Sequence, residues 1–354
     1  MSRVPLMDLA AAHAEIAEEV TAGFARVMAN TTFVKGPEVA AFEQEYAAFC
    51  GAAHCVGLAN GTDAVELALR AVGVGPGSKV VIPANTFVAT AGAVTRIGAR
   101  PVLCDVSPGS LLMDPAAIPS GADAIVPVHL YGRPAPMADI LRAAAGVPVV
   151  EDAAQSHGAT YSVHGAIAAT SFYPGKNLGA YGDAGAVTTD DPLLARKVRL
   201  IADHGGKRKH EHLVPGYNSR LDTLQAVVLR AKLRRLAAAN EARRAAAARY
   251  TDLLSDLGIG LPEVTSEHVW HLYVVRVPDR DTIAARMAEL GVQTGIHYPL
   301  PIHLQPAYAH LGYRPGDFPV AEATAKEILS LPIFSQLTGE QQVQVADALR
   351  KALL

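Results

Sequence analysis

Four short apolar runs between residues 79 and 152 constrain this chain most: KVVIP (79–83), PVLCDV (101–106), AIVPV (124–128) and VPVVED (147–152). Each is rich in β-branched residues and carries proline at or near one end. Segments with helical periodicity, FVATAGAVTRI and MADILRAAA, fall between them. Brief apolar strands alternating with helices imply a mostly parallel sheet covered on both faces. Upstream, the pattern predicts helices over 13–28 and 38–49 and a third opening at the turn Asn60-Gly61-Thr62-Asp63. Downstream, 219–257 reads as one long helix with Leu221, Leu224, Val228 and Ala231 on a single stripe. Beyond it the pattern predicts a strand over 269–277, a helix over 282–290 and a short strand over 292–297. A last helix is opened by the capping box Thr338-Gly-Glu-Gln341. The expected division is a large α/β domain, 1–245, and a smaller C-terminal α+β domain, 246–354, with no Gly/Ser linker between them.

Composition excludes several classes. Half the residues are hydrophobic and 18% are charged, which suits a packed globule and not a disordered chain. The net charge of −3 lacks the basic excess of a nucleic-acid or membrane-surface protein. The run Arg230, Lys232, Arg234, Arg235 reads as a solvated helix face. No apolar stretch approaches the ~20 residues of a membrane span. The opening MSRVPLMDLAAAHAEIAEEV places acids where a signal peptide needs an apolar core, so a cytoplasmic protein is expected. Three cysteines, Cys50, Cys55 and Cys104, make no disulfide framework and have no zinc spacing. The histidines at 129, 157, 204, 212, 268 and 271 lack metal spacing such as H-E-x-x-H, so they read as ordinary hydrogen-bonded residues and no metal is expected.

Three places carry chemistry. VPVVED ends in Glu151-Asp152, which puts carboxylates at a sheet's C-terminal edge, where open α/β sheets bind ligands. Adjacent strand residues point to opposite faces, so only one of the two can meet a given ligand. Read alone, either acid could equally cap a helix. At a distance of 24 residues (176 − 152) lies SFYPGKNLGAYGDAGA, an apolar, glycine-rich turn around Lys176. Burial there would lower the lysine's pKa toward the nucleophilic neutral amine. Asn60-Gly61-Thr62 begins a helix, whose N–H groups and dipole suit a phosphate. Phe87 could stack on a planar ring or simply fill core space. A lysine, an acid and a phosphate-binding helix start are what a phosphorylated pyridine aldehyde requires of a protein.

Together these segments resemble the DegT/StrS family of sugar aminotransferases dependent on pyridoxal 5′-phosphate (PLP), which have the aspartate aminotransferase (type I) fold. The resemblance runs through FVKGPEVAAFEQEYAAFCG, LANGTDAVELALRAVGVGPGSKVVIPANTFVAT, VVEDAAQSHGA, SFYPGKNLGAYGDAGAV, GYNSRLDTLQA and GIHYPLPIHLQPAY, in that order. It implies that Lys176 matches the Schiff-base lysine, Asp152 the partner of the pyridine nitrogen, and Gln155 the group near the ring hydroxyl. Phe87 matches the ring-stacking aromatic, and Gly61, Thr62 and Ser171 the phosphate contacts. Asn218 matches an asparagine that reaches the phosphate from a neighbouring subunit, which implies a homodimer with shared sites. Tyr181, Tyr217, His297 and Tyr298 become candidates for a sugar pocket. The basic loop around Lys207 and Arg208 offers charge to a diphosphate or is a solvated hairpin.

The implied activity is transamination of a dTDP- or UDP-linked keto-hexose, with L-glutamate and 2-oxoglutarate as the donor pair. The product would be an amino sugar for antibiotic or polysaccharide biosynthesis. The stretch from Gly295 to Tyr308 resembles members that aminate a 3-keto-6-deoxyhexose; a 4-keto enzyme and a PLP-binding regulator are the alternatives. Relatives that dehydrate sugars carry histidine where this chain has Lys176. A nucleotide-binding oxidoreductase would need Gly-x-Gly-x-x-Gly after the first strand, where this chain has Ala-Asn-Thr-Phe.

Overall fold

The computed structural model describes residues 3–159, 163–208 and 210–354. The helices are α1 (Leu9–Ala14), α2 (Ala17–Asn30), α3 (Pro37–Cys50), α4 (Gly61–Ala71), α5 (Val88–Arg96), α6 (Met137–Ala144), α7 (Pro192–Ala202), α8 (Thr223–Leu254), α9 (Arg280–Glu289), α10 (Pro319–Glu327) and α11 (Gly339–Ala352). The strands are β1 (His54–Leu58), β2 (Lys79–Pro83), β3 (Arg100–Cys104), β4 (Ala124–Ile125), β5 (Val150–Asp152), β6 (Ile167–Ser171), β7 (Gly185–Thr189), β8 (Gly206–Arg208), β9 (Glu211–His212), β10 (Tyr273–Arg276) and β11 (Ile328–Leu331).

One sheet organises the first two thirds of the chain. Its order is β3-β2-β4, then β5-β6-β7-β1, with β4 joined to β5 by the parallel bridges Ile125–Val149 and Val128–Asp152. β7 is antiparallel to both β6 and β1, so it alone is reversed. The reason lies in its connection: β6 and β7 are joined without a crossover helix by the loop that carries Lys176, and parallel neighbours need such a crossover. Helix starts obey local chemistry. Asn60 caps α4 by accepting from Asp63 N, Asp191 caps α7 through Leu193 N, and Pro37, Pro192 and Pro319 sit in first turns. The capping box at Thr338 and Gln341 is formed.

A large core packs α4, α5 and α7 on the sheet around Leu58, Leu67, Ile82 and Val187. A second core gathers Tyr250 of α8, Tyr273 and Val275 of β10, Leu329 of β11, Leu349 of α11, and Val4 from the N-terminus. α8, 32 residues long, packs Leu229, Leu233 and Leu236 in a third cluster with Phe42 and Phe172 and reaches the second core through Ala247, Tyr250 and Leu254. The expected strand over 292–297 is not formed. That segment makes only isolated bridges, Val292 to Val4 and Gly295 to Ser330, so no continuous ladder builds. No described helix is long and apolar enough to cross a membrane.

Candidate active site

The strands that share a direction end at one edge of the sheet, and the chemistry collects there. Asn60 and α4 follow β1, Thr86 and Phe87 follow β2, Asp152 ends β5, and Ser171 ends β6. β7 begins at the same edge, which brings Asp183 to it. A cavity of about 410 Å³ opens between them, lined also by Met7, Thr90, Gln155, Lys176, His271, His297 and Tyr298.

Asp152 is buried and both its oxygens are held. Thr90 donates to Oδ2 at 2.8 Å, and the Ala154 amide donates to Oδ1 at 3.2 Å. Thr86 shares a hydrogen bond with Thr90 at 3.0 Å. Burial pushes the Asp152 carboxyl up, while Thr90, Ala154 and the Lys176 charge pull it down. Lys176 is lowered to about 8 by burial, against the attraction of Asp152. An amine near that value has a far larger neutral fraction at physiological pH than an ordinary lysine, about a fifth, and is a competent nucleophile and base.

Glu151, the other acid of the pair, faces away and serves structure. Its Oε2 accepts from His129 at 2.9 Å, and its Oε1 takes the amides of His164 and Gly165 at 2.7 and 2.6 Å. Burial pushes its carboxyl up, but the His129 ring and these amides outweigh that and hold it below its ordinary range.

At the start of α4 the N–H groups of Gly61 and Thr62 precede the first intrahelical bond. Gly61 packs on Ser171 so closely that a Cβ there would lie 2.4 Å from the Ser171 Cβ. Gly61, Thr62 and Ser171 thus form one small, donor-rich cradle. Phe87 is half exposed, with its ring centroid 5.3 Å from that of Tyr298. Gln155 donates to the Tyr298 hydroxyl at 3.0 Å and accepts from the Tyr131 amide at 2.6 Å. His297 contacts Ser330 Oγ at 2.8 Å, and burial with the Lys176 charge lowers it to about 4. A lysine, a fixed acid on one side, a donor cradle and an exposed aromatic face match the functional groups of PLP in kind and number.

Five residues expected at the site are absent from the cavity lining in a single chain. Tyr181 bonds His13 Nδ1 at 2.5 Å and carries the Lys232 ammonium over its ring at 5.1 Å. Tyr217 lies under the Arg70 guanidinium at 5.1 Å, on the flank of α4. Asn218 accepts from Arg220 at 2.7 Å and, like Tyr181 and Tyr217, does not line the cavity. Arg208 is on the β8–β9 hairpin, exposed, 3.9 Å from Glu211. Lys207 precedes it in β8. Lys209 lies outside the described residues. Thr90, Met7, Asp183 and His271 line the cavity without having been expected. For Thr90 a signal existed, since it follows Thr86 by one helical turn. Among the described residues no group of three or more His, Cys, Asp or Glu side chains is placed to hold a metal ion.

Comparison with known proteins agrees with this geometry. The model of the DegT/DnrJ/EryC1/StrS aminotransferase family matches residues 14–350. The chain is 49% identical to the Erythromycin biosynthesis sensory transduction protein EryC1 of Saccharopolyspora erythraea, over 98% of this chain and 99% of that protein. It is 44% identical to dTDP-3-amino-3,4,6-trideoxy-alpha-D-glucose transaminase of Streptomyces venezuelae, over 99% and 96% of the two chains. The crystal structure of S. venezuelae DesV in complex with a ketimine intermediate superposes with a TM-score of 0.95 at 43% identity, covering 99% of this chain and 98% of that one.

Proposed function

The chain belongs to the DegT/DnrJ/EryC1/StrS aminotransferase family, and from that premise we propose that it transfers an amino group to the keto carbon of a nucleotide-linked hexose. The observation that carries this reading is the buried Lys176, lowered to about 8, in one cavity with the doubly held Asp152 and the α4 cradle. The cofactor is PLP, which when bound supplies an aldehyde for amino groups and a ring that accepts electrons from the carbon being deprotonated.

The chain's own residues do the rest. Lys176 Nζ holds the aldehyde at rest; once displaced, it takes the donor's Cα proton and returns it at the other end of the exchange. Asp152 would keep the ring nitrogen protonated, with Thr90 holding its Oδ2 in place. Gly61, Thr62 and Ser171 receive the phosphate, Phe87 covers the ring, and Gln155 meets the ring hydroxyl.

His297 and Tyr298 sit on the sugar side. A 3-keto hexose, linked to dTDP or UDP, is favoured over a 4-keto one by the stretch from Gly295 to Tyr308, and the S. venezuelae relative is named for a 3-amino sugar. L-glutamate is the proposed donor. Among the described residues Lys176 is the only cation lining the cavity, so a diphosphate or a dicarboxylate needs charge from outside one chain. That supports a homodimer in which a second copy brings Asn218, Lys207 and Arg208, with Tyr181 and Tyr217 at the shared boundary. We keep the domain division at about residue 245. We assign the cytoplasm, in keeping with three cysteines that are all free thiols.

The test is direct. Protein incubated with PLP should absorb in the visible, lose that band with L-glutamate, and, given aminosugar nucleotides with 2-oxoglutarate, release an identifiable ketone. Lys176→Ala should lose the band and cut turnover by ~10³-fold or more. Absence of any band, or of a response to any amino donor, would sink the reading. The regulator alternative rests on the S. erythraea relative, which is named a sensory transduction protein; an unchanged host phenotype for Lys176→Ala would favour it.

A further inference from the structure

Three side chains behind Lys176 form a hydrogen-bond relay whose direction is fixed at its far end. The carbonyl oxygen of His157 can only accept, and Asn240 Nδ2 donates to it at 2.8 Å. The Asn240 oxygen therefore faces Asn177, whose Nδ2 donates to it at 3.0 Å and to the carbonyl of Val269 at 2.8 Å. With its amide nitrogen turned to two acceptors, Asn177 presents Oδ1 to His271 Nδ1, 3.2 Å away. An oxygen there requires a proton on Nδ1. The neutral ring then has a bare lone pair on Nε2.

The backbone that carries the ring is clamped. Val269 N donates to Gly132 O at 2.9 Å and Leu272 N to Tyr131 O at 3.1 Å. Gly132 has φ +99°, and a Cβ on it would lie 2.8 Å from the His271 amide. His271 lines the same cavity as Lys176, and Nε2 has no described hydrogen-bond partner. The charged and titratable groups facing His271 are Lys176, Arg243, His157 and His297; burial first, and then these groups, keep the imidazole well below its ordinary range and hence neutral.

We propose that His271 is a positioning residue for Lys176, its Nε2 lone pair accepting a hydrogen bond from the lysine's ε-amino group. The role rests on the aminotransferase reading and deepens it. Each cycle asks Lys176 to pick up a proton inside a buried site. Asp152 is the nearby anion, but its oxygens are engaged by Thr90, Ala154 and the ring nitrogen they serve. A neutral acceptor on another face steers the amine and eases the ammonium without lowering the amine's basicity, as a second cation would.

The relay can be read without turnover. In cofactor-free protein labelled with ¹⁵N-histidine, and assigned with His271→Gln, His271 should show a protonated Nδ1 and a bare Nε2. Lys176→Met should move the Nε2 resonance toward that of an unbonded lone pair. A protonated Nε2, or no movement in Lys176→Met, overturns the proposal whether or not the chain proves to be an enzyme. In His271→Phe the pH midpoint for capture of PLP by the cofactor-free protein should fall below about 8. Bleaching by L-glutamate should slow ~10- to 100-fold, the worth of one hydrogen bond to a charged group. His271→Gln, which keeps an acceptor oxygen, should recover most of both. A His271→Phe variant that captures and bleaches as the wild type does also overturns it. A wild type that captures no PLP sinks the aminotransferase reading instead and leaves the resonance test in force.

Discussion

Thr90 shows how much a single hydroxyl does here. It is buried, it donates to Asp152 Oδ2 at 2.8 Å, and its own acceptor position is met by Thr86 at 3.0 Å. Burial alone would push Asp152 toward the protonated acid, which cannot hold a pyridinium. Thr90→Val keeps the shape and removes the donor. The loss of a hydrogen bond to a charged group is worth about 1.5–3 kcal/mol, so PLP retention should weaken by ~10- to 100-fold. Equilibrium dialysis of the holoprotein measures it. Thr90→Ser restores the hydroxyl and should restore retention. Equal retention in the valine variant would show that the Ala154 amide and the Lys176 charge suffice to keep the acid ionised.

Strand β5 illustrates how one element divides two jobs between adjacent residues. Alternation sends Asp152 to the cavity and Glu151 into the protein, where three donors converge on it. Glu151→Ala would strand the His129 ring and two amides in a dry interior. A loss of about 3 kcal/mol or more is expected, visible as a lower urea midpoint, and cofactor binding should survive at temperatures where the variant stays folded. A midpoint equal to that of the wild type would mean that water replaces the carboxylate.

The same element bears on what sequence can tell. VPVVED was legible because its residues are branched, apolar and punctuated by an acid. α4 was legible because Asn60 is a cap, and the lysine turn because Lys176 stands in an apolar, glycine-rich run. β6 (IAATS) and β7 (GAVTT) were not, because they are built from alanine, glycine and threonine. Small residues weaken the strand signal, yet they let α4 come close, as the Gly61–Ser171 contact shows. Tyr181 and His271 were illegible for another reason. Their partners, His13 and Asn177, lie 168 and 94 residues away, and no local pattern encodes such a meeting.

At the scale of the whole molecule, keeping the Lys176 region uncharged makes the fold acid-sensitive. Burial holds His157 and His268 down to about 3 and His297 to about 4, and His271 lies well below its ordinary range. For three of the four, His157, His271 and His297, the Lys176 charge adds to burial. The unfolded chain protonates the same rings near 6.5, so between about 6.5 and 4 it binds more protons than the native state. Stability therefore falls as pH falls through that window, by up to about 1.4 kcal/mol per pH unit for each ring. Glu151, held low by His129, adds a loss of the same sign in stronger acid; Asp152, raised by burial, works the other way as one group against four. A typical domain has about 5–15 kcal/mol in hand, so half the summed slope, about 5–6 kcal/mol over two units below 6.5, takes away a third or more of it. The urea midpoint should change little from pH 7.5 to 6.5 and drop steeply from 6.5 through 5.5 to 4.5. His268→Gln, away from the cavity, should flatten the slope by about one proton while leaving the site's histidines untouched. A midpoint constant over that range would mean that the buried rings are charged in the native state, and an imidazolium beside Lys176 would leave that amine too acidic to serve as a base.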